Sequence, residues 1–118
     1  MKINPLVIAL AMTAFVSPAF AGYGAIAYSQ GSNAYGQSWN FQTRWEAEER
    51  AMSECSYRGY GCKVVMWFRN ACGALALAPG GGYGAAWGNS KYVAQQKAMN
   101  ACYGDNQSCD LEISFCTD

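Results

Sequence analysis

Small and large residues alternate through Gly24-Ala-Ile-Ala-Tyr28, the pattern of a strand packed closely on one face. Ser29 to Asn33 is a turn cluster around Gly31. Ala34-Tyr-Gly-Gln-Ser-Trp39 then returns as a second strand, so the pair reads as a hairpin. The period next becomes helical. Thr43-Arg-Trp-Glu46 has the form of a capping box, with Thr43 capping the helix and Glu46 reaching back to its backbone N–H. The helix is expected from about Arg44 to Cys55. Trp45, Ala51, Met52 and Cys55 supply its apolar side chains, Ala47 and Ala51 allow close approach, and Glu46, Glu48, Glu49 and Arg50 stand in water. After a loop at Tyr57 to Gly61, Lys63 to Asn70 alternates cleanly. Val64, Met66 and Phe68 are predicted on one face and Lys63, Val65, Trp67 and Arg69 on the other.

The series then recurs. Gly73-Ala-Leu-Ala-Leu77 echoes Gly24 to Tyr28, and Tyr83-Gly-Ala-Ala-Trp87 echoes Tyr35 to Trp39. Ala94, Ala98, Met99 and Cys102 echo Ala47, Ala51, Met52 and Cys55, while Leu111, Ile113 and Phe115 echo Val64, Met66 and Phe68. The chain is read as two ββαβ units, about 22–72 and 73–118, related by a pseudo-twofold. Each unit alone exposes an apolar sheet face and a helix stripe. The expected product is α+β: a mostly antiparallel sheet of about six strands with two helices packed on one face, stapled by disulfides.

The N-terminus changes the compartment. Lys2, the apolar run Leu6 to Phe15 and the small residues at Ala19 and Ala21 have the form of a cleaved signal peptide over residues 1–21. The apolar run is short for a bilayer span, and no cysteine near the junction suggests a lipid anchor. A periplasmic or secreted bacterial protein is expected, with residues 22–118 as one small domain. All 6 cysteines fall in that part, and an even count in an exported small domain reads as three disulfides. Each helix ends in a cysteine and each following strand begins with one. Cys55–Cys62 and Cys102–Cys109 are therefore the preferred local pairs, leaving Cys72 and Cys116 to tie the two units together. The symmetric rival pairs Cys55 with Cys102 and Cys62 with Cys109. In the chain-entropy model the local loops stabilise by about 2.5 kcal/mol each and the long one by about 4 kcal/mol.

Charge and residue types exclude more than they assign. Basic and acidic residues balance at 8 each, so there is no nucleic-acid footprint and no polybasic membrane patch. With 0 histidines, Ser-His and Cys-His mechanisms are absent. No C-x-x-C occurs, so metal ligation by the cysteines is not expected, and no cofactor is. The glutamates at 46, 48, 49 and 54 read as a solvated helix face, leaving a carboxylate-dependent envelope hydrolase as a weak alternative. Pro79-Gly-Gly-Gly-Tyr-Gly84 lacks the Lys-Ser/Thr and the helix of a phosphate loop and reads as a flexible hairpin tip. The aromatics are the better lead. Trp39 and Trp87 are repeat-equivalent, as packing positions would be, whereas Trp67 has Ser114 as its counterpart. Lys63, Val65, Trp67 and Arg69 form the candidate binding patch, since exposed Trp beside Arg is hot-spot composition. The bland alternative buries Trp67 beneath the helices.

The run Cys62-Lys-Val-Val-Met-Trp-Phe-Arg-Asn-Ala-Cys72-Gly-Ala-Leu-Ala, with Gly24 to Tyr28, Ala47 to Cys55 and the closing Cys102, Cys109 and Cys116, resembles the bacterial exported family known as domain of unknown function 4189. The resemblance implies a small secreted or periplasmic disulfide-containing domain and no catalytic residues. The expected function is a non-enzymatic binding protein of the bacterial envelope whose partner is another protein, as with an immunity protein or an inhibitor of a secreted antibacterial toxin. The alternative is a secreted effector acting on host or neighbouring cells.

Overall fold

In the computed structural model residues 22–106 and 108–118 are described. The expected leader lies outside the described residues. The elements in order are β1 (Tyr23–Tyr28), β2 (Tyr35–Phe41), α1 (Arg44–Arg58), β3 (Lys63–Arg69), β4 (Cys72–Leu77), a short 3-10 turn (Pro79–Gly81), β5 (Tyr83–Gly88), α2 (Lys91–Asp105) and β6 (Asp110–Cys116). Both halves are ββαβ, as the repeat predicts. The six strands do not join one sheet. They form two three-stranded antiparallel sheets, ordered β2-β1-β3 and β5-β4-β6. The α+β class stands; the single sheet with both helices on one face is corrected to two stacked sheets with one helix outside each.

The central strands explain this. Ala25 and Ala27 of β1 are buried beneath Ala47, Ala51 and Cys55 of α1. On the opposite face of the same strand, Ile26 and Tyr28 are buried against Leu75 of β4. The second half repeats the scheme, with Ala74 and Ala76 of β4 under Ala94, Ala98 and Cys102 of α2. A strand apolar on both faces needs a layer on each side. One continuous sheet would leave the Ile26–Tyr28 face and the Leu75 face in water.

Each helix lies backbone against backbone on the outer strand of its hairpin. A Cβ at Gly36 would collide with the carbonyl oxygen of Ala51 and stand 2.5 Å from the Cys55 nitrogen. A Cβ at Gly84 would collide with Ala98 O and Cys102 N. Ser38 is buried and donates from its hydroxyl to Ala47 O at 2.6 Å. The buried stripe of α1 is Ala47, Ala51 and Cys55, spaced by four. Trp45, two residues earlier, falls on the far side and is 66% exposed, so it is not an apolar anchor of this helix. Thr43 accepts from Glu46 N at 3.1 Å, and the Glu46 carboxylate accepts from the Thr43 hydroxyl instead of from the backbone N–H. Ser90 caps α2 the same way, accepting from Val93 N at 3.2 Å.

Between the sheets Phe68 lies on Gly24 and Gly73, where any Cβ would strike its ring, and 5.4 Å from Phe115. Tyr28 packs 5.1 Å from Tyr83, and its hydroxyl donates to Gly81 O at 3.3 Å. Gln30 Nε2 donates to the same carbonyl at 3.3 Å. The glycine-rich turn is thus docked on the first half rather than being a loose tip. Burial raises the pKa of Tyr28 above its ordinary 10.0, with Tyr83 and Glu112 adding to the rise. Tyr35 is raised by burial, then by the charge of Glu112 and a hydrogen bond to it, with Arg58 opposing. Both hydroxyls hold their protons more tightly folded than unfolded. Their contribution to stability is complete below the unfolded value of 10.0 and is lost as pH climbs through the folded values. The urea midpoint should therefore hold steady up to pH 10.0 and then fall, more steeply than for Glu112→Gln. A midpoint unchanged at about pH 11 contradicts this.

Three disulfides join Cys55–Cys62, Cys102–Cys109 and Cys72–Cys116. The first and third clip each helix end to the strand that follows. The second does not tie the halves together. Cys72 opens β4 and stands directly opposite Cys116 on β6, so the bond lies inside the second sheet. The repeat boundary accordingly falls before Cys72. Links between the halves include Asp118 N donating to Asn40 Oδ1 at 2.9 Å and Asn40 Nδ2 donating back to Asp118 Oδ2 at 3.0 Å.

Candidate functional site: a groove along the β3 edge

Among the described residues β3 pairs with β1 alone and forms one margin of its sheet. Its ladder carries a register shift. Lys63 and Val64 oppose Tyr28 and Ala27, whereas Met66, Trp67, Phe68 and Arg69 oppose Ile26, Ala25, Gly24 and Tyr23. Val65 is the extra residue of a bulge. One inserted residue reverses the parity of the strand. Lys63, Met66 and Phe68 therefore face the second sheet, where Val65 also packs, while Val64, Trp67 and Arg69 face the helix side. The predicted common face of Lys63, Val65, Trp67 and Arg69 does not exist. Clean alternation in the sequence concealed the bulge.

Three of the four nevertheless meet in one place. Val65, Trp67 and Arg69 line an open groove of ≈ 760 Å³ whose floor is Val64 to Arg69. Arg44 and Glu48 of α1 form one wall, and Trp87 of β5 closes the other. Lys63 stays outside it. Arg44, Glu48 and Trp87 were not foreseen. Arg44 and Glu48 share the i,i+4 spacing of a helix pair, but nothing local in the sequence places the start of α1 beside the end of β3.

The side chains form a row. The Arg44 guanidinium carbon is 4.3 Å from the Trp67 ring centre, and Arg44 Nε donates to Glu48 Oε2 at 2.8 Å. Tyr23 lies 6.3 Å from Trp67, with ring planes 31° apart. The Arg69 guanidinium carbon is 5.2 Å from the Tyr23 ring. Two adjacent aromatics flanked by a cation at each end thus run across the helix side of the sheet. Trp67 is 39% exposed and Trp87 47%, so neither is buried core. The groove is lined by the guanidinium groups of Arg44 and Arg69 and by the Glu48 carboxylate, which Arg44 engages. Among the described residues no group of three or more His, Cys, Asp or Glu is placed to hold a metal ion. No described helix is long and apolar enough to cross a membrane.

The second half supplies a comparison inside the same molecule. Trp67 corresponds to Ser114 and Glu48 to Gln95, and Gln95 Nε2 donates to Ser114 Oγ at 2.8 Å. Tyr23 and Arg69, directly opposed across β1 and β3, correspond to Cys72 and Cys116, directly opposed across β4 and β6. The same helix sits on the same strand in both halves. One half has a hydrogen bond and a disulfide where the other has exposed aromatics and arginines.

The chain belongs to the family described as "Domain of unknown function (DUF4189)", whose model matches residues 23–116. Two curated relatives are "Protein Rv1269c" of Mycobacterium tuberculosis and "Protein Mb1300c" of Mycobacterium bovis. Each is 50% identical over 54 residues, which covers 46% of this chain and 40% of the relative. The match thus spans less than half of those proteins. Among solved structures, the NMR structure of Rv1813c from Mycobacterium tuberculosis is similar at a TM-score of 0.60 and 28% identity, over 86% of this chain and 80% of that one.

Proposed function

We propose that this member of the family is a non-catalytic binding protein of the bacterial envelope, periplasmic or secreted, that holds a protein partner in the groove along β3. An immunity protein or an inhibitor of a secreted antibacterial toxin would work this way. The observation that carries the reading is the difference between the halves. Ser114 and Gln95 stand at the positions of Trp67 and Glu48 and are joined by a hydrogen bond, so the second repeat folds at these positions without a tryptophan. Exposed tryptophan with arginine is the composition that concentrates binding energy. Three disulfides fit an oxidising compartment.

The test uses Trp67→Ser, which installs the residue of the other half and should leave the urea midpoint close to that of the parent. Affinity capture from envelope and culture-medium fractions with the full oxidised chain should yield a stoichiometric protein. The variant should lose it by tenfold or more in affinity, about 1.4 kcal/mol or above. A partner held equally by both proteins removes the groove from the reading.

A further inference from the structure

We infer that the opposite margin of the first sheet holds a second site, a cleft along β2 that binds a neutral glycan by stacking a pyranose ring on Trp39. The site lies apart from the β3 groove, because β2 and β3 flank β1 on its two sides. It is a cleft of ≈ 500 Å³ whose walls include Tyr35, Gln37 and Trp39 of β2 and Glu54 and Arg58 of α1. An adjoining hollow of ≈ 190 Å³ shares Gln37, Trp39 and Glu54 and runs on to Phe41 and Arg50. The first volume is ordinary for a small-ligand site, about 300–1,000 Å³, and the second leaves room for a further ring.

Strand and helix build the cleft together. Tyr35, Gln37 and Trp39 alternate with Gly36 and Ser38, which face α1, so they point toward the second sheet. Trp39 lies 5.9 Å from Phe115 on that side and stays half exposed. Glu54 reaches the margin of the strand because Gly36 has no side chain; a Cβ there would stand 2.9 Å from Glu54 Cβ. Arg50, Glu54 and Arg58 follow at intervals of four and form one ion-paired row. Arg50 Nε is 3.3 Å and Arg58 Nη1 3.8 Å from the Glu54 carboxylate. Arg58 Nη1 also donates to Tyr35 O at 3.0 Å, which ties the row to the strand.

These groups suit a sugar. A pyranose ring offers an apolar C–H face and a rim of hydroxyls, each at once donor and acceptor. The indole face takes the C–H face. The rim meets the Glu54 carboxylate as acceptor, the Arg58 guanidinium as donor and the Gln37 amide as both. Charge favours a neutral ring. Arg50 and Arg58 are set against Glu54 and against Glu112, which is hydrogen-bonded to Tyr35. An ionic ligand finds no net opposite charge there. The second half again supplies the comparison. Its equivalent cleft, ≈ 480 Å³ over Tyr83 and Gly84 beside α2, has Ala85 for Gln37, Ala101 for Glu54 and Asp105 for Arg58. Trp87 is not among its walls and lines the β3 groove instead. The repeat thus makes a cleft of similar size without the aromatic platform, the amide or the arginine.

The experiment titrates the full oxidised chain with trisaccharides of N-acetylglucosamine, glucose, mannose and galactose, and with trigalacturonate as the charged probe. Tryptophan emission and saturation-transfer NMR read the binding. A neutral trisaccharide should bind with a Kd of about 1 mM or tighter, and trigalacturonate about tenfold more weakly. Preference for N-acetylglucosamine over the hexoses points to a wall-type glycan, and the reverse to a surface polysaccharide. Trp39→Ala should weaken binding about tenfold or more. Gln37→Ala and Glu54→Ala install the residues of the second half, so each should keep the parent's urea midpoint and weaken binding about threefold or more. Trp67→Ser should bind the sugar as the parent does. No binding of any neutral trisaccharide at about 10 mM, equal affinity for trigalacturonate, or undiminished binding by Gln37→Ala and Glu54→Ala would overturn the inference. Loss of the sugar in Trp67→Ser with retention in Trp39→Ala would move it to the β3 groove and overturn it as well. Capture of a protein through Trp67 is independent of these outcomes, so the two sites stand or fall separately.

Discussion

Gly36→Val is expected to lower folding stability by about 3 kcal/mol or more, and Gly84→Val by a similar amount, because each forces a helix off its sheet. The obstacle is backbone, not a side chain that could swing away. At Gly36 the new Cβ meets the Ala51 carbonyl and stands 2.5 Å from the Cys55 nitrogen. Relief would require α1 to lift from β2, and lifting would open the contacts of Ala25 and Ala27 with Ala47 and Ala51. The Cys55–Cys62 bond further restrains the end of that helix. Gly104→Ala is the matched control. Among the described residues no atom beyond its own helix backbone lies within 4 Å of its Cβ position, and it sits in α2. Alanine there should stabilise by about 0.5–1 kcal/mol by lowering unfolded-state entropy. Urea unfolding followed by tryptophan emission reads all three variants. A Gly36→Val protein within about 1 kcal/mol of the parent would show that the helix does not rest on that glycine.

That contact sets out how far the sequence could be read. Gly36 and Gly84, with the alanines at 47, 51, 94 and 98, mark close helix–strand approach, and the repeat of these positions fixed the ββαβ order correctly. The small–large alternation of Gly24 to Tyr28 held more than it first gives up. Its alanines lie under a helix and its large residues against a second sheet, so the pattern signals burial on two sides. Reading it as one packed face leads to a single sheet. The parity of Lys63 to Arg69 was illegible for a different reason. A bulge leaves no mark when the inserted residue is a valine among apolar neighbours, and only the pairing with β1 reveals it. Its echo is visible afterwards, because Glu112, the counterpart of Val65, sits at the register shift of β6. The walls of the groove depended on three elements converging, which no local pattern encodes. Arg44 begins a helix, Trp87 belongs to the other sheet, and both reach the same strand.

Breaking Cys72–Cys116 with paired alanine substitutions is expected to cost about 4 kcal/mol, the entropy of a loop this long in the chain-entropy model. Transplanting the bond should do the reverse. Tyr23 and Arg69 oppose each other as Cys72 and Cys116 do, so Tyr23→Cys with Arg69→Cys should form a fourth disulfide and raise stability by about 2–4 kcal/mol. The pair it replaces, Arg69 over the Tyr23 ring at 5.2 Å, contributes only about 0.5–1 kcal/mol at an exposed site. The fold accommodates a staple at this position and uses one in the second half, while the first half keeps a weaker cation–aromatic contact at the mouth of its groove. Sites that trade stability for recognition leave such residues in place. The transplanted protein should therefore unfold at higher urea when oxidised and lose the captured partner. A thiol count showing two free cysteines, or an oxidised midpoint no higher than the parent, would mean the two positions are not geometrically equivalent. A stabilised protein that still binds its partner undiminished would place recognition elsewhere on the molecule and leave Arg69 a purely structural residue.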